Sequence, residues 1–151
     1  MKRAGKTFVL AAVVLAAALP VACGRADAGG AANAAETFYG AVNRTGEGLP
    51  ADLFANPEAH QAAVKARLAR QQAYGEEQSR RRTGSQVSVS MDGGGRRETV
   101  TLIYDVTFAD GRTRETLVLV RQAPTDPFLV ASWTVESAGW ADPTPPGTSS
   151  A

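Results

Sequence analysis

The chain has 151 residues, and with a leader removed roughly 130 remain, enough for one domain with one core and too few for two. Lys2, Arg3 and Lys6 belong to that leader; without them thirteen basic residues face fifteen acidic ones, a balance that excludes a global pull toward nucleic acid or anionic lipid. One cysteine, Cys23, and one histidine, His60, exclude an intramolecular disulfide, a thiolate cluster and a multi-histidine metal site, so the fold rests on packing.

Met1 to Lys6 is basic, and Phe8 to Leu19 is an apolar run without a charge. This is the layout of a secretory signal. At ~1.5 Å per residue a helix of that run covers about 18 Å, short of the ~30 Å hydrocarbon core, so a permanent span is the poorer reading. No Arg-Arg pair precedes the run, and the twin-arginine route is not indicated. The run ends in Leu19-Pro20-Val21-Ala22-Cys23-Gly24, which resembles the bacterial lipobox, with Pro20 standing where leucine is usual. The resemblance implies a signal peptide over 1–22, diacylglycerol on Cys23 and, since Gly24 is not the aspartate of inner-membrane retention, the outer membrane facing the periplasm. A competing cut follows Ala26-Asp27-Ala28, an A-x-A pattern that discards Cys23 and releases a periplasmic or secreted protein. Residues 23–33, rich in Gly and Ala, read as a flexible tether.

The domain is expected over 34–137. Asn33 and Glu36 form a near-capping box, and Ala35, Phe38, Tyr39 and Val42 recur at helical spacing, which predicts a helix over 34–44. Gly46 and Gly48 stop it, and 50–55 reads as a helical turn carrying Leu53 and Phe54 inward. Asn56-Pro57-Glu58 starts a second helix: a capping side chain, proline at the first helical position, and an acid at the positive dipole end. Gly75 closes it after Tyr74. Its stripe of Ala63, Val64, Leu68 and Tyr74 is thin, which places it on the surface of the domain.

From Ser85 the period becomes two. Val87, Val89 and Met91 alternate with polar residues and read as half-buried, Asp92 to Gly95 turns the chain, and Val100, Leu102, Tyr104, Val106 and Phe108 form the next inward row. Asp110-Gly111 is a hairpin signal. As a two-residue loop it sets Leu102 opposite Leu119 and Tyr104 opposite Leu117, with Ile103 opposite Val118 and Thr101 opposite Val120 on the other face. Thr113 to Arg121 returns, and Phe128 to Glu136 is the last strand. Residues 138–151 are rich in Pro, Ser, Thr and Gly, and are expected to be disordered.

The aromatic pair Phe38-Tyr39, the run from Val100 to Val106, the run from Glu115 to Arg121, and Trp133-Thr134-Val135 together resemble small bacterial lipoproteins of unknown function. These are grouped with nuclear-transport-factor-like and cystatin-like α+β folds. The resemblance covers about residues 31–137 and implies N-terminal helices packed on a curved four-stranded antiparallel sheet. It implies no particular activity, because that fold carries enzymes, ligand carriers and interaction modules, and no catalytic motif of its enzymatic members maps onto this chain.

Two residues are candidates for chemistry. His60 is a conceivable base near the start of the second helix. Asp105, between Tyr104 and Val106, is a candidate acid for a cone-shaped pocket or else a solvated carboxylate on the strand face, and one carboxylate makes no mechanism. Arg80, Arg81 and Arg82, with Arg96 and Arg97, offer a phosphate, headgroup or acidic-partner surface, or a solvated connection between helix and sheet. Gly93-Gly94-Gly95 lacks the lysine and helix of a phosphate loop and reads as a turn. The expectation is an envelope lipoprotein whose partners are the membrane, through its lipid, and a second copy or another envelope protein, with no nucleic acid and no cofactor. A pocket enzyme using Asp105 or His60 is the alternative. A homodimer through Ile103, Val118 and Val120 is a further option.

Overall fold

The period-two rows become an antiparallel meander in the order β1-β2-β3-β4, and the two helices that precede it in the chain lie on one of its faces. The computed structural model describes residues 28–138: α1 (Ala28–Val42), a 3-10 turn (Ala51–Leu53), α2 (Pro57–Tyr74), β1 (Glu77–Asp92), β2 (Gly95–Phe108), β3 (Gly111–Arg121) and β4 (Leu129–Ser137). This is an α+β arrangement. The leader, Cys23, the Ala26-Asp27-Ala28 cut through Asp27 and the tail from residue 139 onward lie outside the described residues.

The termini of α2 follow the sequence signals. The Asn56 carboxamide oxygen accepts from the Ala59 amide at 2.8 Å, Pro57 stands at the first turn, and the Gly75 amide closes on the Gln71 carbonyl. The 3-10 turn buries Phe54, which bridges to Val130 at the edge of β4. Between the helices and the sheet, Phe38 meets Trp133 edge to face with centroids 5.2 Å apart, and Tyr39 meets Tyr104 in the same way. Ala31, Ala35, Val42, Ala63, Leu102, Leu117 and Leu119 complete the centre of the core. Edge-to-face aromatic pairs add about 0.5–1.5 kcal/mol each beyond their buried area.

Five expectations are corrected. Helix α1 begins at Ala28, inside the 23–33 stretch read as tether, and Asn33 lies within it rather than capping it; Ala31 and Ala35 are fully buried, so packing extends the helix upstream. Strand β1 begins at Glu77 and not at Ser85, which makes Arg80, Arg81 and Arg82 strand residues paired with β2. The turn between β2 and β3 is Ala109-Asp110, with Phe108 opposite Gly111; Leu102 therefore faces Leu117 and Tyr104 faces Glu115, Ile103 faces Thr116 and Thr101 faces Val118. That shift of two residues keeps every side chain on its expected face. Helix α2 is not a thinly attached surface helix: its inward face runs Ala59, Ala63, Arg67, Arg70, while Leu68 is exposed. Val87, Val89 and Met91 are exposed rather than half-buried, because the outer part of the β1–β2 hairpin extends beyond the helices that cover the rest of that face.

Gly111 shows why the turn sits one residue early. Its φ of +153° suits glycine, and a Cβ there would stand 3.1 Å from Tyr74 Cδ1. The bare position lets Tyr74 stack on Phe108, centroids 5.5 Å apart.

Candidate functional site

Charged residues occupy core-facing positions on three elements, and they converge. On β3, Glu115 has the same parity as Leu117 and Leu119 and is 0% exposed. Its Oε1 accepts from Arg70 Nε at 2.8 Å and from the Thr113 hydroxyl at 2.9 Å, and its Oε2 accepts from Trp133 Nε1 at 3.1 Å. Arg70 donates further to Asn43 Oδ1 at 3.1 Å and to Glu77 Oε2 at 2.5 Å. Glu77 Oε1 in turn accepts from Arg80 at 2.8 Å, and Arg80 reaches Glu36 at 2.8 Å, where the chain of ion pairs meets solvent.

Aromatic rings line this network. The Arg70 guanidinium lies 4.6 Å from the Phe108 centroid and 5.6 Å from that of Trp133, and Arg80 lies 4.0 Å from that of Tyr39. Such stacking favours a guanidinium over an ammonium. The Tyr39 hydroxyl is buried beside Glu115 without a hydrogen bond of ordinary geometry. Burial first, and then the neighbouring Glu115 carboxylate, push its phenol far above the usual tyrosine range. Burial also raises Tyr104. Burial and Glu115 both favour the neutral Tyr39 phenol in the folded domain.

A convergent polar cluster is thus present that the reading by residue type did not anticipate, and its buried members bond to one another. Arg70, Glu77, Arg80 and Glu115 balance in charge and bond to one another, and Glu115 uses both oxygens on protein donors. Each remaining buried arginine has a similar structural role. Arg67 donates to the Glu47 carbonyl at 2.5 Å and to the Arg44 carbonyl, fastening the loop between the helices to α2. Arg121 donates to Glu98 Oε2 at 2.9 Å and to the Pro124 carbonyl at 2.9 Å, fastening the β3–β4 loop.

The two sequence candidates lie apart. His60 Nε2 is 2.9 Å from the Leu49 carbonyl and its ring rests on Phe54, so it is partly buried and joins α2 to the preceding loop. Asp105 faces away from the helices. It stands between Arg81 and Arg114 in the sheet, with Arg114 Nε 3.1 Å from its Oδ1. Arg114 in turn lies opposite Glu136 on β4, so one row of alternating charge crosses all four strands. Sheet and core separate His60 from Asp105, and no acid–base pair forms between them. Among the described residues no three His, Cys, Asp or Glu side chains gather as metal ligands do.

An open groove of about 670 Å³ lies between the first turns of α1, the 3-10 turn and the β3–β4 loop, lined by Asn33, Thr37, Leu53, Thr125 and Phe128 among others. A second groove of about 400 Å³ lies on the other side of the same loop, beside Arg97, Val120 and Leu129. Ile103, Val118 and Val120 are only partly exposed on the outer face, interleaved with threonines. Compared with protein-family models, curated proteins and solved structures, the chain matches none.

Proposed function

We propose that this is an exported envelope lipoprotein, held to the membrane by diacylglycerol on Cys23, whose single domain is a non-catalytic interaction module. The observation that carries the reading is the position of Cys23. The sequence's one cysteine directly follows a basic and apolar leader too short to cross a bilayer, and it stands five residues ahead of the first helix. Gly24 at the next position favours the outer membrane. The order of two helices and a four-stranded meander supports the nuclear-transport-factor-like or cystatin-like class. Two facts favour an interaction module. The buried charged side chains Arg70, Glu115, Arg121 and Glu98 are each ion-paired within the domain, and what the domain offers outward is a groove bordered by the first turns of α1.

A second reading, cleavage after Ala28 to give a soluble protein, is favoured by one feature. That cut removes only the first residue of α1 and leaves its buried face from Ala31 onward whole. Fractionation of cells expressing the parent chain and Cys23→Ser separates the two. The lipoprotein reading requires the parent in the membrane fraction, labelled by an alkynyl fatty acid, and the variant unlabelled and in the soluble fraction. A parent chain that is soluble and unlabelled contradicts it.

A further inference from the structure

The outer half of the β1–β2 hairpin projects beyond the helical cover. On its core-facing side Val87, Val89 and Met91 are 39%, 50% and 76% exposed, and no other large apolar side chains of the described residues apart from Leu68 are as exposed. Arg96 lies across from Met91 and Arg82 across from Tyr104, so both share the face of the apolar row, while Arg97 lies across from Ser90 on the other face. Asp92 is the one acidic residue between Arg82 and Arg97. Arg96 also lies 3.7 Å from Glu98 but remains 41% exposed.

This arm lies at the same end of the domain as the start of α1. Asn43 bonds to Glu77 and Glu36 to Arg80, so α1 runs antiparallel to β1, and moving back toward Ala28 is moving toward the hairpin tip. The groove gives a second, independent sign. Gly30 and Asn33 face the loop from Pro124 to Phe128, at the end of the sheet where Arg121 pairs with Glu98 and Glu98 with Val89. Cys23 precedes Ala28 by five residues in the sequence, a stretch that spans at most ~17 Å, so a lipid on Cys23 would be tied to this end.

We propose that the hairpin from Arg82 to Arg96 is a membrane-contact arm that seats on an anionic phospholipid bilayer, with Val87, Val89 and Met91 entering the interface and Arg82 and Arg96 at the headgroups. Apolar side chains beside arginines are what an anionic interface accepts: the apolar groups leave water while the guanidiniums stay with phosphate. The inference deepens the lipoprotein reading, and rests on it for the bilayer's being at hand. A Cys23 lipid would bring the arm to the surface, and the arm would set which way the groove faces.

The test uses the mature chain, residues 23–151, carrying Cys23→Ser and no lipid, so that the arm is measured without the anchor. Flotation with vesicles of phosphatidylglycerol and phosphatidylcholine is compared with phosphatidylcholine alone. The expected result is binding to the anionic vesicles only, reduced on the order of tenfold or more by Arg82→Gln with Arg96→Gln, and likewise by Val89→Ser with Met91→Ser. All these positions are exposed, and unchanged Trp133 fluorescence checks that the variants fold. No binding by the parent, or equal binding by the arm variants, overturns the proposal. So does a dimer by light scattering that is lost with Val89→Ser and Met91→Ser while the vesicles stay bare, because β1 is an edge strand and a second copy is the other occupant it suits. Failure here leaves the mass of the mature N-terminus unaffected, so the loss of the arm and the loss of the lipid anchor are told apart.

Discussion

Arg70 of α2 and Glu115 of β3 form a 2.8 Å ion pair whose side chains are 2% and 0% exposed. Pairing of this kind joins helix to sheet at the centre of the fold, with Glu77 as a third member. The desolvation of each charge is offset only while the others remain. Arg70→Met leaves the buried Glu115 carboxylate without its cationic partner, while Glu77 keeps Arg80, and is expected to lower unfolding free energy by about 3–5 kcal/mol, measured by urea denaturation. Arg70→Met with Glu115→Leu is expected to lose less than the sum of the two single changes by at least ~1 kcal/mol. Strict additivity would show that the pair is not coupled.

Tyr39 makes stability depend on high pH. Its folded pKa is raised by burial and by Glu115, whereas the unfolded phenol titrates near about 10. Below that pH both states keep the proton and the contribution is complete. Above it the unfolded chain ionises and the folded one does not, so stability falls by about 1.4 kcal/mol per pH unit for each tyrosine held this way. Tyr39→Phe is expected to flatten the fall between about pH 10 and 11, leaving the share of Tyr104. Absorbance of tyrosinate should show Tyr39 ionising only as the domain unfolds.

Asp105 tests the opposite case. It is paired with Arg114, itself half exposed, on the outer face of the sheet, where water screens both charges. Asp105→Asn is expected to change stability by less than about 1 kcal/mol, well below the effect of Arg70→Met. A loss of several kcal/mol would mean that the outer row of charges is a structural element.

Gly111→Ala is expected to destabilise by about 1–3 kcal/mol. The residue has a backbone angle that disfavours a side chain, and the new methyl group meets Tyr74. Thermal unfolding reads the effect, and an unchanged midpoint would contradict the assigned turn.

Much of this fold was legible in the sequence. The start of α2 could be read because capping at Asn56 and proline at the next position are local chemistry. The inward rows of β2 and β3 could be read because a two-residue period survives a register error: moving the turn from Asp110-Gly111 to Ala109-Asp110 changes partners without changing faces. The first part of β1 had no such period, since Glu77 to Gly84 is polar throughout and owes its strand to pairing with β2.

The ionic centre was missed because a charge on a helix is ordinarily assigned to water. The available signal was positional. Arg67 and Arg70 continue the stripe of Ala59 and Ala63, while Glu98 and Glu115 share the parity of Val100 and Leu117. Opposite charges at core-facing positions on two elements point to a buried pair. His60 and Asp105 drew notice as residue types, and neither position in the fold brings it a catalytic partner.

The lipid tether is the centre of the account, and intact-mass spectrometry of the protein recovered from cells tests it most directly. The account requires a mature chain beginning at Cys23 and carrying the added mass of diacylglycerol and acyl groups. A chain beginning at Gly29 without added mass, or one that retains Met1 and its leader in the cytosol, contradicts it.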